Sequence, residues 1–178
     1  MSIVRSLPVA AALALTLVAL PEASAQRAPA SPRDSVVTTI GGAALKLDYG
    51  RPSKRGREIF GGLVPWGAVW RTGANEATHF TTNKALRFGS ATVPAGRYTL
   101  YTLPQQNGQW LLIVNKQVGQ WGTEYSEAQD LVRIPLTVTS QSPAVEQMQL
   151  TLSAAGNGGE FALLWDTTKA SARFTVAP

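Results

Sequence analysis

From Val36 to Val176 the apolar residues fall in short runs, most of them alternating with polar neighbours, and glycine or proline turns separate the runs. Strand side chains alternate between two faces, so this period specifies strands with one buried and one wet face. Leu45, Leu47 and Tyr49 alternate with Lys46 and Asp48. Thr78, Phe80 and Thr82 share a parity that excludes His79. Met148, Leu150 and Leu152 alternate with Gln147, Gln149 and Thr151. Trp110 to Val114 is almost continuously apolar, which suits a strand covered on both faces. Pro94-Ala95-Gly96 and Gly156-Asn157-Gly158-Gly159 are turn signals, and Asn107-Gly108 predicts a type I′ hairpin. Pro135 interrupts the run Leu131–Thr139 and marks an edge or a bulge. Only Thr123–Asp130 reads as helix, of one or two turns, with Thr123 as its cap. The sum is an all-β chain of nine or ten short strands, an antiparallel β-sandwich, with an open barrel as the alternative.

Residues 1–25 have a different grammar. Arg5 precedes an apolar stretch from Leu7 to Leu20, and Ala23-Ser24-Ala25 fits a small-residue cleavage site. The run is short for a membrane-spanning helix, and no later stretch is apolar enough to span a bilayer. A cleaved signal peptide is expected, with export to the periplasm or the cell exterior. A flexible lead over 26–34 and a single domain over 35–178 complete the organisation.

Composition removes several chemistries. The chain has no cysteine, so thiolate zinc sites, iron–sulfur clusters, cysteine nucleophiles and disulfides are ruled out. One histidine among scattered carboxylates is a poor metal set, and no metal or cofactor is expected. No nucleophile elbow, zinc-protease, phosphate-loop or dinucleotide motif occurs. The net charge of +5 does not point to nucleic acid, because the basic residues gather in one segment without interleaved stacking aromatics.

That segment, residues 49–78, departs from the strand pattern. It carries Arg51, Lys54, Arg55, Arg57 and Arg71, Trp66 and Trp70, and Asn75-Glu76. Residues 50–68 read as one long ordered loop, and such loops in compact domains are more often functional than ornamental. Arg51-Pro52-Ser53, Gly56-Arg57, Ile59-Phe60-Gly61, Leu63-Val64-Pro65 and the string Trp70-Arg71-x-Gly73-Ala74-Asn75-Glu76-Ala77-Thr78 resemble the bacterial domain-of-unknown-function family 2911. Pro94–Leu100 and Trp110–Asn115 extend the resemblance. It implies a secreted or envelope protein and carries no activity with it.

Three functional readings stand. The first is a binding or accessory module in which Arg51, Arg57, Trp70, Arg71, Asn75 and Glu76 form a basic pocket for a small anionic or carbohydrate-like envelope ligand. Guanidinium forks suit anionic oxygens, the amide suits hydroxyls, and indole suits a sugar face. The second is a hydrolase with Glu76 or His79 as general base and Arg71 stabilising negative charge. The third is a structural envelope protein whose loop 49–78 only caps the fold, with tryptophans plugging the open end of the sandwich. Catalytic residues and oligomeric state stay undetermined at this level.

Overall fold

A computed structural model describes residues 30–177. The expected signal peptide lies outside the described residues, as do residues 26–29 of the expected lead. Within that lead, Arg33 and Asp34 already belong to the first strand.

The strands are β1 (Arg33–Ile40), β2 (Ala43–Gly50), β3 (Thr78–Thr82), β4 (Leu86–Phe88), β5 (Ala91–Val93), β6 (Gly96–Leu103), β7 (Trp110–Asn115), β8 (Asp130–Ala155) and β9 (Gly158–Val176). They form one nine-stranded sheet in the order β1-β2-β3-β6-β7-β8-β9-β4-β5. Every pairing is antiparallel, and the sheet is not closed into a barrel. Among the described residues no helix is long and apolar enough to cross a membrane.

Two expected pairs of strands are single strands. The runs at 131–139 and 148–152 both lie in β8, and Phe161–Trp165 and Arg173–Val176, which the sequence pattern also predicts as two separate strands, both lie in β9. The first part of β8, Asp130–Leu136, pairs with β7, and Thr137–Ala155 pairs with β9. Register shifts between Ser140 and Val145 and between Val145 and Gln149 interrupt the ladder. Such irregularities bend a strand and raise its twist without ending it. The far part of β8 therefore turns back over the near sheet. The Tyr49 hydroxyl donates to the Leu150 carbonyl at 3.4 Å and accepts the Leu150 N–H at 3.0 Å, fixing the two layers to each other. Leu45, Leu47, Phe80, Leu100 and Leu112 meet Leu150, Leu163, Trp165 and Phe174 in one core, giving a sandwich-like arrangement from a single folded sheet.

Local expectations divide. Gly156-Asn157 forms the tight β8–β9 turn, with Ala155 paired to Gly158 and Gly156 at φ 59°. Asn107-Gly108 is not a type I′ hairpin: the Gly108 N–H closes a turn on the Gln105 carbonyl and Asn107 keeps negative φ. The expected helix is a single 3-10 turn, Glu127–Gln129, preceded by Ser126 rather than capped by Thr123. Side-chain anchors described below hold that segment extended. Pro135 pairs with Leu111 on one side only, because β9 leaves β8 beyond Ser171 to join β4. A residue without an N–H sits well at such an opened edge.

The hairpin leaves no room for a side chain at Gly158, where an added Cβ would lie 1.9 Å from the Phe174 carbonyl oxygen. Gly158→Ala is expected to lower stability by about 1–3 kcal/mol through overpacking. A reduced urea midpoint at unchanged slope would report it; an unchanged midpoint would contradict this packing.

Candidate functional site

Loop 51–77 closes one end of the sandwich. Trp110 from β7 and Trp165 from β9 stand on opposite layers, and the loop inserts Phe60, Trp66 and Trp70 between and beside them. Trp70 stacks on Trp165 with centroids 5.8 Å apart and planes 20° apart. Phe60 meets Trp110 edge-on at 4.6 Å. Four of the five tryptophans of the chain thus share one cluster. Such contacts add to area burial, which is already large for indole. Trp70 and Thr102 also exchange backbone hydrogen bonds at 2.8 Å each way.

The string 70–78 is held by backbone geometry. Thr72 and Asn75 adopt left-handed φ of 52° and 64°. Asparagine tolerates that region, whereas a β-branched residue there is strained and needs firm surroundings. Thr72 has them: its hydroxyl pairs with Thr102 at 2.8 Å and its carbonyl accepts the Thr78 hydroxyl at 2.9 Å. Gly50 admits the string, since a Cβ there would lie 2.2 Å from the Ala74 carbonyl oxygen.

The six residues singled out from sequence go to different tasks. Arg51 donates to the Met148 carbonyl at 3.1 Å and to Asp34 at 3.0 Å, tying the loop to β8 and β1. Arg57 folds onto its own turn, donating to the carbonyls of Ser53 and Lys54. Trp70 is in the aromatic cluster. Arg71, Asn75 and Glu76 lie against Trp121 and Gly122: Gly122 donates to the Asn75 carbonyl at 3.3 Å, and Glu76 bridges to Trp121. Glu76 is exposed and accepts from Arg33 at 3.3 Å. Arg71 Nε is buried with no acceptor among the described residues, and Gln120 Oε1 is buried with no donor. None of the principal hollows of the described surface is lined by these six residues.

A second constellation escaped sequence reasoning because it exists only through register. Ser35, Asp48, His79, Thr99, Asn115 and Asp130 are successive cross-strand partners over six strands. They form a polar row on the face opposite the core. Segment 116–129 lies over part of that row. Thr99 donates to the Gln117 carbonyl at 2.7 Å, Asn115 to the Ser126 carbonyl at 2.9 Å, and the Gly119 N–H to His79 Nε2 at 3.4 Å. Tyr125 donates to Asp130 at 2.7 Å; burial and that carboxylate push the phenol up to about 12.

Beside His79 the next row, Lys46–Thr81–Arg97, completes a hollow of ≈ 190 Å³ lined by Lys46, Asp48, His79, Thr81 and Arg97. Asp48 is engaged by Arg33 through a side-chain hydrogen bond, and Lys46 stands 4.0 Å from it. Arg33 thus donates to both Asp48 and Glu76, so these two acids share one guanidinium. Arg97 and Thr81 have no side-chain partner among the described residues. Burial lowers the His79 pKa, the Arg97 and Arg33 charges lower it further, and Asp48 opposes them. The imidazole is neutral, as its role as hydrogen-bond acceptor requires.

Two outcomes test these placements. Trp165→Ala is expected to cost about 3–5 kcal/mol in a urea titration, as loss of a large buried side chain from a packed cluster does. A smaller loss than Trp66→Ala would refute the cluster's role, since Trp66 is 37% exposed. His79 refuses a proton that the unfolded chain accepts, so its contribution is complete above about pH 6.5 and declines below it, by at most ~1.4 kcal/mol per pH unit. His79→Gln should flatten the fall in stability below about pH 6.5; an unaltered slope would argue against a depressed histidine.

Comparison with curated proteins and with solved structures finds no match. A family model described as a protein of unknown function, DUF2911, matches residues 31–174. That span runs from just before β1 into the final strand and includes the loop, the aromatic cluster and the polar row, and the chain belongs to this family.

Proposed function

We propose that the protein is an exported binding module. Residues 1–25 direct it to the periplasm or the cell exterior. Loop 49–78 serves as the cap of the fold, and the outer-face hollow beside His79 takes the oxyanion of a small envelope ligand: a carboxylate, sulfate or phosphate group. This moves the anion-binding role from the loop residues to Lys46, Thr81 and Arg97.

One observation carries the reading. Two cationic side chains, Lys46 and Arg97, line a small hollow with a neutral histidine and one carboxylate, Asp48, which Arg33 already engages. Arg97 and Thr81 are uncommitted donors there, and a guanidinium with a free fork suits paired anionic oxygens. Of the loop arginines, Arg51 and Arg57 are occupied by protein acceptors, and Arg71 is half-buried against Gly122 and lines none of the principal hollows. The acid–base candidates are also engaged, Glu76 by Arg33 and His79 by the Gly119 N–H.

His79 is the only histidine of the chain, so its imidazole resonances report the hollow directly. Sulfate stays doubly charged across the titration range and serves as the probe. Bound sulfate favours the imidazolium, so the His79 pKa should rise in sulfate relative to chloride at equal ionic strength. Arg97→Gln should weaken that effect about tenfold in sulfate concentration, as expected for loss of a charge-assisted hydrogen bond. An identical His79 titration in the two salts would remove the basis of this proposal.

A further inference from the structure

The opposite layer carries a larger groove that the reading above does not use. It opens where β9 parts from β8 beyond the Thr137–Ser171 pair and crosses to β4. A hollow of ≈ 640 Å³ lies over this divergence, and a second of ≈ 480 Å³ adjoins it; Gly89 and Arg173 line both. Register explains the lining. Lys169, Ser171, Arg173 and Thr175 alternate with the buried Ala170, Ala172 and Phe174, so they share the outer face of β9. Thr139 pairs with Lys169, Thr137 with Ser171, and Arg87 with Thr175.

We infer that this groove binds an extended acidic polysaccharide, a chain of uronate-type sugars lying along β9. Three features select that partner. First, the uncompensated charge is positive. Arg87 and Arg173 are exposed and have no side-chain partner among the described residues, while Lys169 is neutralised by Glu160 at 2.6 Å. Second, the groove is long. Its lining runs from Lys169 to the level of Arg87 and Thr175, six residues of strand or about 20 Å, longer than a single small anion. Third, the surface between the charges offers exposed hydroxyls from Thr137 and Thr139, the donors and acceptors that match sugar hydroxyls. Nucleic acid fits less well, because the one aromatic residue lining the larger hollow, Phe88, is 8% exposed and presents no face for base stacking.

The groove and the His79 hollow share no residue, so each can fail without the other. The test is titration calorimetry of the whole protein with a linear oligogalacturonate long enough to span the groove. Its fully methyl-esterified form and an oligothymidylate of similar length are the comparison probes. Binding of the free acid with at least about tenfold weaker binding of the ester is expected, since esterification removes the charge and keeps the sugar. Arg87→Gln/Arg173→Gln should weaken the free acid about tenfold and flatten its salt dependence, because two charge-assisted contacts are lost. Both side chains are exposed, so the fold tolerates the change. Lys116→Gln, which removes an exposed charge elsewhere, should leave binding unaltered. Three results would overturn the inference: no binding of the acid, an equal loss with Lys116→Gln, or oligothymidylate binding as tightly as the uronate.

Discussion

A strand of 26 residues cannot stay flat, and the structure follows from how β8 bends. Its near part continues the first layer beside β7, and its far part belongs to the second layer beside β9. One backbone ladder thereby supplies both halves of the core. Because the same strand serves both, the layers need no long crossover, and Tyr49 bonding to Leu150 sets where they meet. The opened edge at Pro135 and the groove over β9 are consequences of the same geometry. A strand that leaves its neighbour to join another leaves a gap behind it.

A sheet folded on itself still has an open end, and loop 51–77 fills it. The aromatic side chains provide the burial, while Arg51 on Asp34 and Lys54 on Asp166 fix the loop's perimeter. Surface pairs of that sort contribute little to stability by themselves. Their effect is positional, since each holds a loop backbone against a strand it does not continue. The density of arginine and tryptophan in this segment therefore answers mainly to closure of the fold. The left-handed Thr72 and the close approach of Ala74 to Gly50 show how tightly the following string is folded.

The polar row explains a second departure from simple strand grammar. His79 and Thr81 face away from the core while Phe80 faces into it, which is why β3 is more polar than its central place in the sheet suggests. Segment 116–129 uses that row as an anchor, and its backbone groups are spent on Thr99, Asn115 and His79. A segment whose carbonyls and amides are committed to a sheet face does not coil, and the expected helix is reduced to the turn Glu127–Gln129. Where the covering segment ends, cationic residues of neighbouring strands are left around a small uncovered hollow.

The sequence by itself determined the class of fold and most strand positions, because side-chain alternation and turn chemistry act over a few residues. Leu45–Tyr49, Thr78–Thr82 and the Gly156-Asn157 turn are legible for that reason. It also marked residues 49–78 as unusual and gave the family through that string. Only the tertiary structure decided that two pairs of expected strands are continuous, since bulges look like strand ends in a linear chain. It alone decided which polar side chains meet. Arg51, Arg57 and Arg71 are close in sequence yet do not converge: Arg51 bonds β8 and β1, Arg57 its own turn, and Arg71 packs against Gly122, whereas Lys46, His79 and Arg97 are far apart and become neighbours. Register between strands fixes those meetings, and register depends on the whole sheet rather than on any one segment of it.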